Sequence, residues 1–169
     1  ISKIDRIEKI PFLPIEFFRT QKVVSEPMHV SAVFESSGTT SKDASSKHYI
    51  GDLPFYEYLS IKTFEQFYGS LTDYHIFALL PSYLERGGSS LVYMVENFIY
   101  HSFSNLAGFY LNNHSALLDA LEQAATENRK ILLLGVSFAL LDLAENPQFS
   151  KRIKKIADRI TIMETGGMK

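Results

Sequence analysis

The chain has 169 residues, of which 46% are apolar and 21% charged, a balance typical of one globular domain with a substantial core. Its 17 basic and 19 acidic residues leave a net charge of −2, which gives no electrostatic reason to expect nucleic acid as a partner. Cysteine is absent, which excludes a disulfide framework, a thiolate metal site and a cysteine nucleophile within these residues and fits the cytoplasm. No apolar run approaches the roughly 18 residues of a membrane helix, so we predict no membrane span.

The amino-terminal part of the chain is predicted to contain a lead-in segment and a β-hairpin. Residues 1–29 form the lead-in, in which "IPFLPIEFFRT" combines two prolines with large apolar residues. Residues 30–35, "VSAVFE", alternate in polarity as a strand does. The "HYI" that follows the polar run of residues 36–47 is predicted to pair back on this strand. Residues 30–169 are then expected to form one α/β subdomain.

Beyond the hairpin, apolar periodicity predicts helices that alternate with strands. The predicted helices run from Ser60 to Gly69, from Ser89 or Ser90 to about His101, from Asn113 onward, and over residues 137–145 and 150–159. The predicted strands are residues 76–80, 107–111, 130–136 and 159–163. The third of these, "KILLLGV", is apolar on both faces, as a central parallel strand is. The repeated order of strand and helix predicts an α/β fold with a mainly parallel sheet flanked by helices.

Histidine and aromatic residues give no sign of a metal or cofactor site. The five histidines lack metal-ligand spacing, and neither HExxH nor a paired His/carboxylate arrangement occurs. We therefore interpret His75 and His101 as core or rim residues and assign no metal ligand. The aromatic-rich segment 55–68 is expected to belong mainly to the core, with the lining of a ligand pocket as the alternative.

The stretch "SSGTTSK" is the strongest candidate for a binding loop. Its hydroxyl side chains and open glycine backbone allow several N–H and O–H groups to point at one anion. Gly38 permits a positive φ and close approach, and Lys42 supplies a positive charge. The segment lacks the GxxxxGK[ST] pattern of the P-loop. A Ser/Thr-rich surface loop on the hairpin is the alternative that composition alone leaves open.

The sequence of this loop resembles the phosphate-binding loop of adenylate-forming enzymes, and it is most similar to that of the phenylacetate–CoA ligase branch. It departs from that pattern at Ser41, where glycine is usual, and at Asp43-Ala44, where Pro-Lys or Pro-Thr is usual. The resemblance implies a β-hairpin phosphate loop. The residues that it implies for binding the ATP phosphates are Ser36, Ser37, Gly38, Thr39, Thr40 and Lys42.

Two further segments resemble the acyl-protein synthetases of the bacterial bioluminescence fatty-acid reductase complex. They are "LLPSYLERGGSSLVYMVENFI", residues 79–99, and "IMETGGMK", residues 162–169. The resemblance implies that Thr165, Gly166 and Gly167 lie beside the adenine, with a plain chain reversal as the alternative. "GVSFALLDLAE" is similar to a phenylacetate–CoA ligase segment that borders the acyl pocket. This similarity implies such a role for Gly135, Val136 and Ser137, with a tight strand-to-helix turn capped by Ser137 as the alternative.

Together these resemblances imply the amino-terminal part of an adenylate-forming enzyme, and we expect the chain to be a fragment that does not turn over ATP alone. The implied reaction is ATP-dependent activation of a carboxylic acid, by the resemblance a fatty acid, to an acyl-adenylate and transfer of the acyl group to a thiol. The acceptor is a protein cysteine or coenzyme A, the Mg²⁺ ligand lies outside this chain, and no catalytic residue is assigned. An acyl-CoA ligase, a non-catalytic nucleotide- or acyl-binding module and a structural domain remain alternatives, and an oligomer is possible.

Overall fold

The computed structural model describes residues 5–25, 27–36, 45–80, 88–111 and 113–166. The chain divides into two compact units, Ile1–Gly51 and Asp52–Lys169. In the first unit, a 3-10 turn at Ile7–Lys9 and the short helix α1, Phe17–Thr20, precede two strands.

The strands of the first unit are β1, Ala32–Glu35, and β2, Lys47–Ile50, and they pair antiparallel as predicted. The pairing continues by one residue towards the loop, because the Ser36 N–H donates to the carbonyl of Ser46 over 2.9 Å. Most of the predicted phosphate loop, residues 37–42, lies outside the described residues.

The second unit is built on a four-stranded sheet in which all the described strands are parallel. The strands are β3, Tyr74–Leu79, β4, Gly108–Phe109, β5, Lys130–Val136, and β6, Ile160–Thr165, and their order is β4-β3-β5-β6. Strand β3 is buried along its whole length, and β5 is buried after its first residue. Burial on both faces is what a sheet covered by helices requires, so the predicted α/β fold with a parallel sheet is confirmed.

Among the described residues of the second unit, three α-helices precede β5. Helix α2 spans Leu53–Tyr68, α3 spans Ser90–Ser102 and α4 spans His114–Ala124. The predicted caps Ser89 and Asn113 are confirmed, since their side chains accept the N–H groups of Val92 and Ala116. Gly69 ends α2 with a φ of 90°, a conformation that glycine adopts without strain.

Two predicted helix boundaries are wrong. Helix α2 begins at Leu53, because Asp52 accepts the N–H of Phe55 over 2.9 Å and proline is tolerated in a first helical turn. Ser60 therefore lies inside the helix, where its hydroxyl donates to the carbonyl of Glu57. The helix predicted at residues 150–159 is instead α6, Pro147–Ile153, followed by a 3-10 turn at Ala157–Arg159, because Asn146 caps a helix that starts with proline.

Helix α5, Ser137–Glu145, follows β5 without an intervening residue. The apolar core lies on both sides of the sheet. One cluster contains Phe64 of α2 and Phe98 of α3 together with Leu132 of β5. The other contains Leu121 of α4 and Leu143 of α5, with residues from β3 and β5. The helices thus pack against the sheet, and α5 begins at its carboxyl edge, where the parallel strands end.

Candidate functional site at the carboxyl edge of the sheet

The carboxyl edge brings together two segments that the sequence singled out separately. Strands β5 and β6 are in register, with Gly135 opposite Glu164 and Val136 opposite Thr165. The Ser137 hydroxyl, the first of α5, donates to the carbonyl of Gly166 over 3.0 Å and to the carboxylate of Glu164. A hydroxyl carries one hydrogen, so these two acceptors share it. Ser137 therefore ties the β5–α5 turn to the end of β6.

Ser137 does not cap α5, which corrects the alternative that the sequence left open for this turn. The cap position is Val136, whose side chain makes no cap hydrogen bond. Ser137 is only 6% exposed, and its partners lie 27 and 29 residues later in the chain. Its role in the fold is a tertiary contact rather than a local one.

A hydrolase-type nucleophile at Ser137 does not fit this geometry, although the serine stands between a buried strand and a helix. The nucleophile elbow of α/β-hydrolases is a sharp, strained turn. Among the described residues, the non-glycine positions with positive φ are Phe103 and Leu111. The recorded partners of the Ser137 hydroxyl are a carboxylate and a backbone carbonyl, so the histidine of a Ser–His–Asp triad is not among them.

The two remaining residues of the predicted acyl pocket, Gly135 and Val136, are enclosed by protein. A Cβ added to Gly135 would lie 2.9 Å from the Leu140 side chain and 3.3 Å from that of Leu79. Val136 is 1% exposed. Glycine at position 135 therefore lets α5 fold back closely over β5, and the neighbouring space is filled by leucine side chains.

The predicted adenine-side turn is described in part. Thr165 is the last residue of β6 and is half-buried. Gly166 has a φ of 85°, which favours glycine, and its carbonyl is engaged by Ser137. Gly167 lies outside the described residues.

The base of the predicted phosphate loop contains a small polar network. The Ser36 side-chain oxygen accepts the N–H of Ser46 over 3.0 Å, which closes the end of the hairpin. The Ser45 hydroxyl donates to Glu35 over 2.8 Å, and Lys47 lies 3.6 Å from the same carboxylate. Of the predicted loop residues, Ser37, Gly38, Thr39, Thr40 and Lys42 fall outside the described part of the chain.

A polar cluster at the opposite, amino edge of the sheet was not predicted from the sequence. His75 is 1% exposed, as expected of a core residue, and its Nδ1 lies 2.7 Å from the Ser104 hydroxyl. Its Nε2 lies 3.1 Å from Glu127, within ion-pair distance but without hydrogen-bond alignment. Burial, followed by the charge of Arg129, lowers the pKa of His75, while Glu127 acts in the opposite direction.

The contacts of this Ser–His–Glu arrangement hold parts of the fold together. The Ser104 oxygen also accepts the backbone N–H groups of Leu106 and Ala107, each over 3.2 Å, so it stabilises the turn after α3. Arg129 donates to the carbonyls of Tyr74 and Ser102 and joins the start of β3 to the end of the same helix. Ligands of α/β proteins bind at the other edge of the sheet.

The aromatic-rich segment is divided between core and surface. Phe64 is buried as predicted, whereas Phe67 is 73% exposed. An open groove of about 560 Å³ lies along α2, which contains this segment, and its walls come from α2, α3 and β6. Beside it, the Tyr93 hydroxyl donates to Glu57, which raises the pKa of Tyr93 to about 12.

Within the described ranges, no three His, Cys, Asp or Glu side chains are grouped so that they could hold a metal ion. In the same part of the chain, no helix has the length and apolar character needed to cross a membrane. The class that the fold defines is an α/β protein with a four-stranded parallel sheet. Comparison of the chain with models of known families, with curated proteins and with solved structures gave no significant match.

Proposed function

We propose that this chain is the nucleotide- and acid-binding part of an ATP-dependent acid–thiol ligase of the acyl-protein synthetase type. The carboxylate of the acid attacks the α-phosphorus of ATP, pyrophosphate leaves, and the acyl-adenylate then passes its acyl group to a thiol. The acceptor is a cysteine of a protein or coenzyme A. The observation that supports the proposal best is the contact of Ser137 with Gly166 and Glu164, which joins two of the three predicted site segments at the ligand-binding edge of a parallel sheet.

The loop of residues 36–42 would act by positioning the phosphates and neutralising their charge. Backbone N–H groups and the hydroxyls of Thr39 and Thr40 would donate to phosphate oxygens, and Lys42 would add a positive charge. The Ser36 oxygen accepts a bond from Ser46, and its own O–H hydrogen would donate to a phosphate oxygen.

Mg²⁺ accompanies ATP in reactions of this kind and neutralises charge on the phosphates. The described residues contain no cluster that fits such an ion, so no step is assigned to a metal held by them. The adenine side would be formed by Thr165 and the two glycines that follow it. Since the Gly166 carbonyl already accepts from Ser137, it would contribute through the shape of its turn.

Binding of MgATP to the 169-residue chain tests this proposal, because binding does not require the complete reaction. Isothermal titration calorimetry should detect one site, and Thr40→Val and Lys42→Met should each weaken it at least about tenfold. Loss of a hydrogen bond to a charged group costs about 1.5–3 kcal/mol, and 1.4 kcal/mol corresponds to about tenfold in affinity. Ser45→Ala is the matched control, since this hydroxyl is bonded to Glu35, and its affinity should stay within about twofold.

Absence of MgATP binding, or equal affinity in all four proteins, would leave the exposed-loop interpretation as the better one. The acceptor is identified separately by supplying a protein that contains this chain with a radiolabelled fatty acid, MgATP and coenzyme A. Label on coenzyme A would favour an acyl-CoA ligase, and label on a protein thiol would favour an acyl-protein synthetase. Nucleotide binding without pyrophosphate release from that protein would favour a non-catalytic module.

A further inference from the structure

A half-open cavity of about 200 Å³ lies on the side of the sheet covered by α5 and α6. Its deep wall is formed by the buried side chains of Leu133, Leu143 and Phe149. Its exposed lining residues, which we take as its mouth, are Ala144, Ala157 and Ile162. The cavity is separate from the contact between Ser137 and the end of β6, and none of those residues lines it.

The cavity lining has the chemistry of a hydrocarbon site. Nine of its ten lining residues are apolar, and none carries a charge. The exception is Ser150, whose hydroxyl faces the carbonyl of Ala144 at 3.4 Å. A buried water needs two to four polar partners, and this lining offers few. An apolar group that enters the cavity therefore displaces poorly held water and removes its own surface from solvent.

Polar bonds outside the cavity tie the elements that line it to their neighbours. Arg152 of α6 donates to Glu122 over 2.8 and 2.6 Å and to Asp119 over 2.7 Å. Arg159 donates to carbonyls of the segment between α4 and β5, including that of Glu127 over 2.6 Å. Asn146 caps α6 and sets its angle to α5. These bonds attach α6 and the residue before β6 to α4 and to the segment that follows it.

We propose that this cavity binds a small hydrocarbon group, of the size of a benzene ring or a short alkyl chain. A cavity of about 150 Å³ lined by leucine, isoleucine and phenylalanine is large enough for benzene, and the present cavity is larger and has the same kinds of residues. Leu140 forms part of the wall and also packs against Gly135, so a bound group would touch the side chain that supports the β5–α5 turn. The proposal does not depend on ATP chemistry.

Benzene is the probe that tests this site, and methyl NMR of the isoleucine and leucine side chains is the readout. Saturable shifts should be confined to lining residues such as Leu143 and Ile153, and benzene should raise the Tm of the whole chain. Ala144→Phe places a ring at the exposed mouth and should weaken benzene binding at least tenfold. Leu141→Phe adds a ring at an exposed position of the same helix that does not line the cavity, and should leave binding unchanged.

A polar analogue separates cavity binding from general surface adsorption. Dihydroxybenzene with a hydroxyl at each end of the ring should bind at least tenfold more weakly, because the deep wall offers no partner for a hydroxyl. Non-saturable shifts, equal affinity of the two probes, or unchanged benzene binding in Ala144→Phe would overturn the assignment. These measurements use no nucleotide, so their failure is distinguishable from failure of the proposed function.

Discussion

Replacement of Ser137 by alanine measures the contact that joins the two turns at the carboxyl edge. The buried hydroxyl donates to the Gly166 carbonyl over 3.0 Å and to the Glu164 carboxylate. A neutral hydrogen bond contributes about 0.5–1.5 kcal/mol to stability, and a bond to a charged group about 1.5–3 kcal/mol. Glu164 is exposed and regains water when the hydroxyl is removed, so we expect a loss of about 1–2 kcal/mol in the free energy of unfolding. For a chain of this size the Tm should fall by about 2–8 °C.

Urea unfolding followed by circular dichroism measures this loss as a lower midpoint with an unchanged m value. Ser150→Ala is the matched control, because this serine is also helical and partly buried but lies 3.4 Å from its acceptor. We expect the control to stay within about 0.5 kcal/mol of the parent. Equal stability changes in the two variants would refute the reasoning that Ser137 makes a specific tertiary contact.

Two further predictions concern groups with shifted pKa values. Because burial and Arg129 lower the pKa of His75 in the folded state, against the opposing effect of Glu127, the unfolded chain binds a proton first as the pH falls. The contribution of His75 to the free energy of unfolding should therefore be fully present above the unfolded pKa of about 6.5 and be lost as the pH falls below it. His75→Gln should flatten this pH dependence of the free energy of unfolding, as measured by unfolding experiments at several pH values. Glu57→Gln should lower the pKa of Tyr93 from about 12 towards 10, as measured by the ultraviolet absorbance of tyrosinate. An unchanged titration would mean that Glu57 is not the cause of the shift.

The fold was predictable where the decisive interactions are local in sequence. Ser89 and Asn113 each cap a helix by accepting the N–H three residues later. Their position directly before a helical pattern of apolar residues was therefore sufficient to predict the caps. The prediction of Ser60 as a cap was wrong because the helix begins earlier, after Asp52. The proline in its first turn resembles a helix breaker in the sequence, but a first turn tolerates proline. The role of Ser137 could not be predicted, since its acceptors lie 27 and 29 residues away.

Of the candidate site, the structure tests only whether the singled-out segments meet, and two of them do. The carboxyl ends of parallel strands meet at one edge, which is why the segments around Ser137 and Gly166 come together. Whether Thr40 and Lys42 bind phosphate stays a prediction, because these residues lie outside the described part of the chain. The cluster around His75 gave no signal in sequence spacing, since its members come from a strand, a turn and a loop that only the fold brings together.

The parallel arrangement of the sheet has a consequence for how the chain folds. Parallel partners are brought together over long loops, and Arg129 bonds to Tyr74 from 55 positions away. The entropy of closing such loops is lost before the contacts form, so folding of this unit should be slow, on the millisecond-to-second scale. During that time the "ILLL" of β5 is an uncovered apolar run with a high tendency to associate. Arg129 and Lys130 stand directly before this run, where charged residues oppose association, and we expect them to limit it until the strand is covered.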